Sequence, residues 1–224
     1  MNSLIQFIAE YANNFYEFDG AEEDFFITDT IRKFIKGNRV LDLGCGFTPP
    51  IFAKLMEDLE ELVAVDSSHE TFDFIKENPN LYERKLGKLS KARTITNRNY
   101  HITFLPNDAL NLPSDMGEFD SIMQIGCFGT LKTEANFFEA VAICANLLKP
   151  EGTLLMMNWL GNGNRPDGFN SPIDEEKVYL PSLLDAGFQL RESGYFHNIH
   201  PLRKKAGFTK MIWAVASKID PRTV

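Results

Sequence analysis

The stretch that decides the fold reads Val-Leu-Asp-Leu-Gly-Cys-Gly-Phe-Thr at residues 40–48. Its first half is an apolar run typical of a buried strand, and its second half is a glycine-rich turn that leads into a helical pattern. Gly44 and Gly46 permit positive φ and let a ligand approach the backbone closely. Pro49 and Pro50 suit the first turn of the next helix, where backbone N–H groups have no intrahelical partner. The stretch therefore predicts a ligand-binding loop between the first strand and the first helix.

Short apolar runs alternate with amphipathic helical patterns along the rest of the chain. This alternation is typical of βαβ units and of a parallel sheet covered on both faces. The predicted strands are 38–43, 61–66, 101–106, 119–125 and 152–158, and the predicted helices are 50–59, 69–77 and 134–148. After a helical pattern at 174–186, the runs 188–197 and 208–217 suit an antiparallel pair of strands. An α/β sandwich of about seven strands is the economical arrangement.

A length of 224 residues fits one domain. Residues 1–36 are predicted to form helices before the first strand, and residues 37–160 form the core of the sheet. Residues 161–224 supply a loop and the C-terminal strands. A basic insertion at 78–99 interrupts the regular alternation, and a solvated surface is its default interpretation.

The formal net charge is −8, and residues 1–30 hold seven acids but no Lys or Arg. An acidic balance argues against a general nucleic-acid binder. The apolar runs are far shorter than the ~20 residues of a membrane span, and the first residues lack the basic region of a signal peptide. Three cysteines at wide spacing form no metal-binding pattern with the histidines, so we expect no metal and reduced thiols in a cytoplasmic protein.

An acid follows the second predicted strand and narrows the choice of ligand. Asp66 lies twenty residues after Gly46, placed to accept hydrogen bonds from two ribose hydroxyls. A glycine loop followed by such an acid suits either a dinucleotide or S-adenosylmethionine (SAM). The dinucleotide fingerprint requires glycine at the position of Pro49. Asp42, two residues before Gly44, instead completes a D-x-G-x-G pattern, and two further elements follow in order, Asn-Asp-Ala at 107–109 and Leu-Leu-Lys-Pro-Glu-Gly at 147–152.

With these elements the sequence resembles the class I SAM-dependent methyltransferases over residues 37–217. The resemblance implies a Rossmann-like sheet of seven mostly parallel strands with an antiparallel C-terminal pair. It also implies SAM as methyl donor and S-adenosylhomocysteine (SAH) as product. The residues that it places at the cofactor are Asp42, Gly44, Cys45, Gly46, Thr48, Asp66, Ser67, Asn107, Asp108, Ala109, Gln124 and Ile125.

A narrower resemblance concerns the small-molecule amine N-methyltransferases of the nicotinamide, phenylethanolamine and indolethylamine type. Their loop reads D-x-G-x-G-P-T, and their N-terminal helical lid carries Y-x-x-x-Y-Y-x-F, which Tyr-Ala-Asn-Asn-Phe-Tyr-Glu-Phe at 11–18 matches with one change. The likeness implies that Tyr11 and Tyr16 close over the methionine arm and that Phe15 faces the methyl acceptor. The chain departs from that family at Phe47, which replaces the proline, and at Asn158, where the family often has a carboxylate that holds the amine.

On the acceptor side we expect contacts from Phe128, Asn158 and Trp159. Methyl transfer from a sulfonium is an in-line displacement that depends mainly on alignment and water exclusion. No catalytic motif is therefore required, although His197 or His200 suits a base for a phenol or a heteroaromatic N–H. The expected acceptor is a small molecule, methylated at the nitrogen of an amine or heteroaromatic ring. The alternatives are the oxygen of a phenol or carboxylate, a protein or RNA acceptor, and a non-catalytic SAM-binding regulator.

Overall fold

The computed structural model describes residues 21–80, 99–161, 174–205, 207–220 and 222. Its helices and strands, in chain order, are α1 (Glu22–Phe34), β1 (Arg39–Leu43), α2 (Pro49–Phe52), β2 (Glu61–Asp66), α3 (His69–Glu77), β3 (His101–Pro106), β4 (Phe119–Ile125), α4 (Glu134–Leu147), β5 (Leu148–Gly161), α5 (Leu180–Asp185), β6 (Phe188–Phe196), α6 (Pro201–Lys205) and β7 (Phe208–Lys218). Two 3-10 turns, Ala53–Leu55 and Phe128–Thr130, and a π-helical turn, Glu175–Tyr179, complete them.

The described strands form one seven-stranded sheet in the order β3-β2-β1-β4-β5-β7-β6. Strands β1 to β5 pair in parallel, and β7 runs antiparallel to both β5 and β6. This topology confirms the predicted sheet and its C-terminal pair. The chain reverses its direction of winding between β1 and β4, and in such sheets ligands bind beyond the carboxyl ends of the strands at that point.

Both faces of the sheet are covered because alternate residues of each strand pack on opposite sides. On one face, Val40 and Leu155 pack with Ile31 of α1. On the other face, their neighbours Leu41 and Leu154 pack with residues of α4 and α5. Continuous apolar strands are the expected consequence of a sheet buried on both sides.

Three predicted elements differ by more than one residue from their bounds in the structure. The helix predicted at 50–59 ends at Phe52 and continues only as a 3-10 turn. Glu57 and Asp58 follow this turn. They disfavour a longer helix because carboxylates are unfavourable at a helix C-terminus. Strand β5 extends beyond its predicted 152–158 in both directions. The helix predicted at 174–186 begins as a π-helical turn and becomes α5 at Leu180, where Pro181 suits the first turn.

Several expectations lie outside the described residues. They are the lid residues Tyr11, Phe15 and Tyr16, most of the basic insertion, and most of the loop after β5. Within the described part of the chain, every helix is too short or too polar to cross a bilayer.

Candidate cofactor and acceptor site

The glycine loop after β1 is held tightly against the end of β4. Gly44 has a φ of +63°, and a Cβ at this position would lie 2.4 Å from the Sγ of Cys127. Glycine is therefore required here both by conformation and by space. The backbone N–H of Cys45 donates to Val65 of β2 at 2.9 Å, and the Thr48 hydroxyl donates to the Cys45 carbonyl at 2.8 Å. These bonds give the loop one fixed shape.

The Asp66 carboxylate connects this loop to the end of β2. Its Oδ2 accepts a hydrogen bond from the Gly46 N–H, and its Oδ1 accepts one from the Ser68 N–H, both at 3.0 Å. A carboxylate has about four lone-pair sites, so each oxygen keeps the capacity to accept a further bond. Two such oxygens side by side match a vicinal diol, which is the pairing expected for a ribose.

Asp42 is a buried carboxyl group with one oxygen unpaired. Its side chain is 1% exposed, and Oδ2 has no hydrogen-bond partner among the described residues. Burial raises the pKa of Asp42 well above its usual value, and the negative charge of Asp66 raises it further. A cation placed beside these two acids would relieve both effects.

The raised pKa gives a prediction for stability. A raised folded-state pKa means that ionisation of Asp42 opposes folding. This cost is absent below the unfolded-state pKa of about 3.9 and grows as pH rises through the folded pKa. Asp42→Asn is therefore expected to gain stability relative to the wild type as pH rises, in urea unfolding at several pH values between 4 and 8. The exposed Asp115→Asn serves as control, and a difference that did not vary with pH would contradict this assignment.

The loop after β3 adjoins the same site. The Asn107 N–H donates to the backbone carbonyl of Asp66 at 2.9 Å, which brings the loop beside β2. The Asp108 N–H donates to the Asn107 side chain at 3.0 Å, and Asp108 Oδ1 accepts from the Leu110 N–H at 2.9 Å. Asp108 is exposed and Ala109 half-buried, so a short, internally bonded turn presents a carboxylate at this edge of the sheet.

Two buried amides lie at the ends of β4 and β5. Gln124 Oε1 accepts from the Phe128 N–H at 3.1 Å, and Asn158 Oδ1 accepts from the Gly129 N–H at 2.9 Å. Their amide nitrogens have no hydrogen-bond partner within the described residues. Both side chains are fully buried. The oxygens thus fasten the 3-10 turn over the strand ends, while two donors stay unsatisfied.

These amides and Asp42 lie near the same edge of the sheet, with the amides on the face of Leu41 and Asp42 on the face of Val40. In the register of the strands, Leu43 pairs with Gln124, and Gln124 pairs with Met156, two residues before Asn158. The three buried, unpartnered polar atoms of the described residues therefore lie at the carboxyl ends of three adjacent strands. Buried polar groups are ordinarily paired, so their concentration here marks the ligand-binding edge.

Trp159 lies on the acceptor side but is mostly engaged within the protein. It is 9% exposed, and its indole N–H donates to Glu23 at 3.0 Å. The Arg203 guanidinium lies 3.7 Å from the ring centroid. Gly126, with a φ of +87°, packs so closely that a Cβ there would lie 2.3 Å from Cζ3 of the ring. One face of this ring therefore already holds a cation.

The remaining acceptor-side residues have varied positions. Phe128 is fully buried and packs edge-on against Phe137 of α4, with 5.7 Å between ring centroids. The ring lies in the core and has no exposed surface, so contact with an acceptor stays a prediction. His197 is exposed and lies 6.1 Å from the Tyr195 ring, whereas His200 is half-buried.

Glu23 is an acceptor-side residue that the sequence pattern does not indicate. It is one of the seven acids of residues 1–30, but its side chain is 0% exposed and that of its neighbour Asp24 is 7% exposed. The partners of Glu23 lie 136 to 180 residues away in sequence, so no local signal distinguishes it from the exposed Glu22.

Comparison with protein families decides the class of this chain. The model of the methyltransferase domain matches residues 41–156, which include the glycine loop, Asp66, the Asn107–Asp108 turn and β4. The chain belongs to this methyltransferase family. It is therefore a class I methyltransferase, with SAM as its cofactor and SAH as the product. No curated protein matches the sequence.

Solved structures share the fold of this methyltransferase at low sequence identity. The N-methyltransferase NodS from Bradyrhizobium japonicum WM9, in complex with SAH, is 14% identical over 98% of this chain and 100% of that chain, with a TM-score of 0.69. A SAM-dependent methyltransferase from Methanosarcina mazei is 12% identical over 85% and 97%, with a TM-score of 0.62. The cyclopropane synthase MmaA2 from Mycobacterium tuberculosis is 13% identical over 87% and 84%, with a TM-score of 0.62.

The residues at the strand ends of this methyltransferase fit its cofactor. SAM carries a ribose diol and positive charge on its methionine arm. The paired oxygens of Asp66 match the diol, and the unpaired Oδ2 of Asp42 matches a cationic donor. The positive φ of Gly46, +51°, turns its N–H onto Asp66 and leaves no side chain between the loop and a ligand.

Proposed function

We propose that this methyltransferase methylates a small molecule at the nitrogen of an amine or heteroaromatic ring. The observation that carries the proposal is the set of buried polar atoms at the ends of β1, β4 and β5 that have no partner in the described part of the chain. It supports a ligand site spanning the cofactor and acceptor sides. The acceptor side is closed in by Trp159, α1 and the 197–205 segment, which are tied together at Glu23. A confined site of this kind favours a small acceptor.

The residues of the chain would act mainly by binding and orientation. Bound SAM supplies an activated methyl group on a sulfonium sulfur. Asp66 would hold the ribose, with Ser67 and the Asn107–Asp108 turn beside it, and the backbone of the glycine loop would approach the methionine arm. Gly126 and Trp159 would shape the wall against which the acceptor nitrogen lies. A neutral nitrogen attacks through its lone pair, so the alignment of the two reactants carries most of the catalysis.

The lid residues complete this proposal. Tyr11 and Tyr16 would close over the methionine arm, and Phe15 would face the acceptor. Their closure would exclude water from the transferred methyl group. The support for this role is the spacing of the eight residues at 11–18.

Transfer to oxygen is a second candidate, favoured by the amides. Asn158 and Gln124 each leave an amide N–H₂ group without a partner among the described residues. Such donors recognise oxygen acceptors rather than an ammonium ion. The buried carboxylate of Glu23 is paired with Arg203, so its charge is already neutralised within the protein. A phenol or carboxylate acceptor would use these donors, and a phenol would use His200 or His197 as base.

Labelled methyl transfer distinguishes these functions. The protein is incubated with methyl-labelled SAM and either a metabolite extract or a macromolecular fraction, and the labelled product is identified by mass spectrometry. We expect label in a small molecule, attached to nitrogen. Label confined to protein or RNA would contradict the proposal, and SAH binding without any transfer would indicate a non-catalytic SAM-binding protein.

The pH dependence and two histidine variants then test for transfer to a phenol through a base. Transfer to the oxygen of a phenol through a histidine base should become faster as pH rises, because the base must be unprotonated to accept the phenol proton. If one of these histidines is the base, its replacement in His200→Gln or His197→Gln would lower kcat by about a hundredfold or more. The exposed His69→Gln, at the start of α3, is the matched control.

A further inference from the structure

Glu23 is a fully buried carboxylate in the first turn of α1. Its Oε1 accepts hydrogen bonds from the Trp159 indole N–H at 3.0 Å and from the Arg203 Nε–H. Its Oε2 accepts from the backbone N–H of His200 at 2.6 Å. One side chain therefore joins α1 to the end of β5 and to the 197–205 segment.

The connection continues from Trp159 to the loop after β4. Arg203 lies over the Trp159 ring at 3.7 Å and holds it from one side. Gly126 lies against the ring edge, with no room for a Cβ. The Gly126 N–H donates to the Met157 carbonyl at 2.7 Å, which ties the same loop to β5. A shift of the indole would thus be transmitted directly to Gly126.

We propose that Glu23 is a positioning residue for methyl transfer, because it fixes Trp159 against Gly126 and so sets the acceptor-side wall beyond β4. The inference rests on the proposed function. Glu23 is placed to act through Trp159 rather than on the reacting atoms. In-line transfer is sensitive to displacements of about 1 Å, which cost on the order of a hundredfold in rate. A carboxylate that is buried and bonded to donors from separate segments allows only one arrangement of them.

The partners of Glu23 all belong to the acceptor side of the sheet, where the rate depends on geometry, and not to the glycine loop that would hold the cofactor.

Glu23→Gln and Glu22→Gln form a matched pair for the test. Both remove one negative charge from the same helical turn. Glu22 is exposed, and its Oε2 accepts only a surface bond from Asn198 among the bonds described, at 2.8 Å. In Glu23→Gln, hydrogen exchange of the Gly126 amide is expected to accelerate by about tenfold or more, while the amides of β1 keep their protection. The indole N–H signal of Trp159 should shift in the NMR spectrum, and that of Trp213 should stay.

Turnover gives the second measurement, with the acceptor found by the labelled-methyl screen. In Glu23→Gln we expect kcat to fall by about a hundredfold, with the KM for SAM and the Kd for SAH within twofold of the wild type. Glu22→Gln should match the wild type in all of these. Arg203→Lys, which keeps the charge but loses the flat guanidinium over Trp159, provides a second variant should Glu23→Gln fail to fold. It should accelerate exchange at Gly126 in the same way.

The outcomes separate this inference from the proposed function. Unchanged exchange at Gly126, an equal rise at every core amide, or an unchanged kcat in Glu23→Gln would overturn the positioning role. The exchange and NMR measurements need no acceptor. Failure of the wild type to methylate any small molecule would therefore overturn the proposed function, while the effect of Glu23 on the acceptor wall could still be measured.

Discussion

Asp66→Ala is expected to weaken the binding of SAM and SAH by at least about tenfold. The substitution removes the acceptor for the ribose hydroxyls and also releases the Gly46 and Ser68 N–H groups that hold the loop at 3.0 Å. A hydrogen bond to a charged group contributes about 1.5–3 kcal/mol, and about 1.4 kcal/mol corresponds to tenfold in affinity. Calorimetric titration with SAH measures the loss directly.

Two further variants control this prediction. Asp73→Ala removes an exposed carboxylate from α3 and should leave the affinity for SAH unchanged. Asp66→Asn keeps the size of the side chain but places an amide N–H₂ against one of the two backbone N–H donors, so it should also bind weakly. Wild-type affinity in Asp66→Ala would show that the ribose is held elsewhere.

Gly44→Ala is expected to destabilise the fold by about 2–5 kcal/mol and to abolish cofactor binding. A left-handed conformation costs a non-glycine residue about 1–2 kcal/mol, and overpacking adds about 1–3 kcal/mol. The second contribution arises because the new Cβ would lie 2.4 Å from the side chain of Cys127. The loop must then move away from β4, and its N–H groups with it.

Gly187→Ala separates strain from crowding. Gly187 also has positive φ, +78°, but a Cβ there meets nothing within 4 Å. Chemical denaturation should therefore show a loss of about 1–2 kcal/mol in this variant, clearly less than in Gly44→Ala. The double variant Gly44→Ala/Cys127→Gly should recover part of the difference. Equal losses in both single variants would contradict the close packing of the loop on β4.

The cysteines at this contact are expected to be unreactive. Burial, together with the negative charges of Asp66, Asp42 and Asp108, raises the pKa of Cys127 to about 12. Cys45 is buried beside the same acids, and its pKa is raised well above the usual value as well. Both therefore remain thiols at neutral pH, which agrees with a role in packing rather than in nucleophilic chemistry.

The sheet and the glycine loop could be predicted from sequence because their signals are local. Strands buried on both faces read as continuous apolar runs, and β2, β3 and β4 have the predicted bounds. The loop at residues 44–48 is encoded by glycines and by the two prolines that begin α2. Such features depend on neighbours within a few residues, so one sequence suffices to recognise them.

The acceptor side could not be predicted in the same way, because its contacts are long-range. Glu23 looks like any other acid of residues 1–30 until Trp159 and Arg203 are brought beside it. The edge-on contact of Phe128 with Phe137 of α4 could not be predicted from the residues beside it in sequence. The amide of Asn158 is recognisable as a replacement for a carboxylate, but the commitment of its oxygen to Gly129 depends on the turn after β4.

The most direct test of the account is a pair of calorimetric titrations of the wild-type chain, one with SAH and one with NADH. Both ligands contain an adenosine and a ribose diol, so Asp66 alone does not distinguish them. The two ligands are distinguished by Pro49, which replaces the third glycine of the dinucleotide fingerprint, and by the acid at Asp42. We expect saturable binding of SAH and no binding of NADH. Saturable binding of NADH without binding of SAH would contradict it.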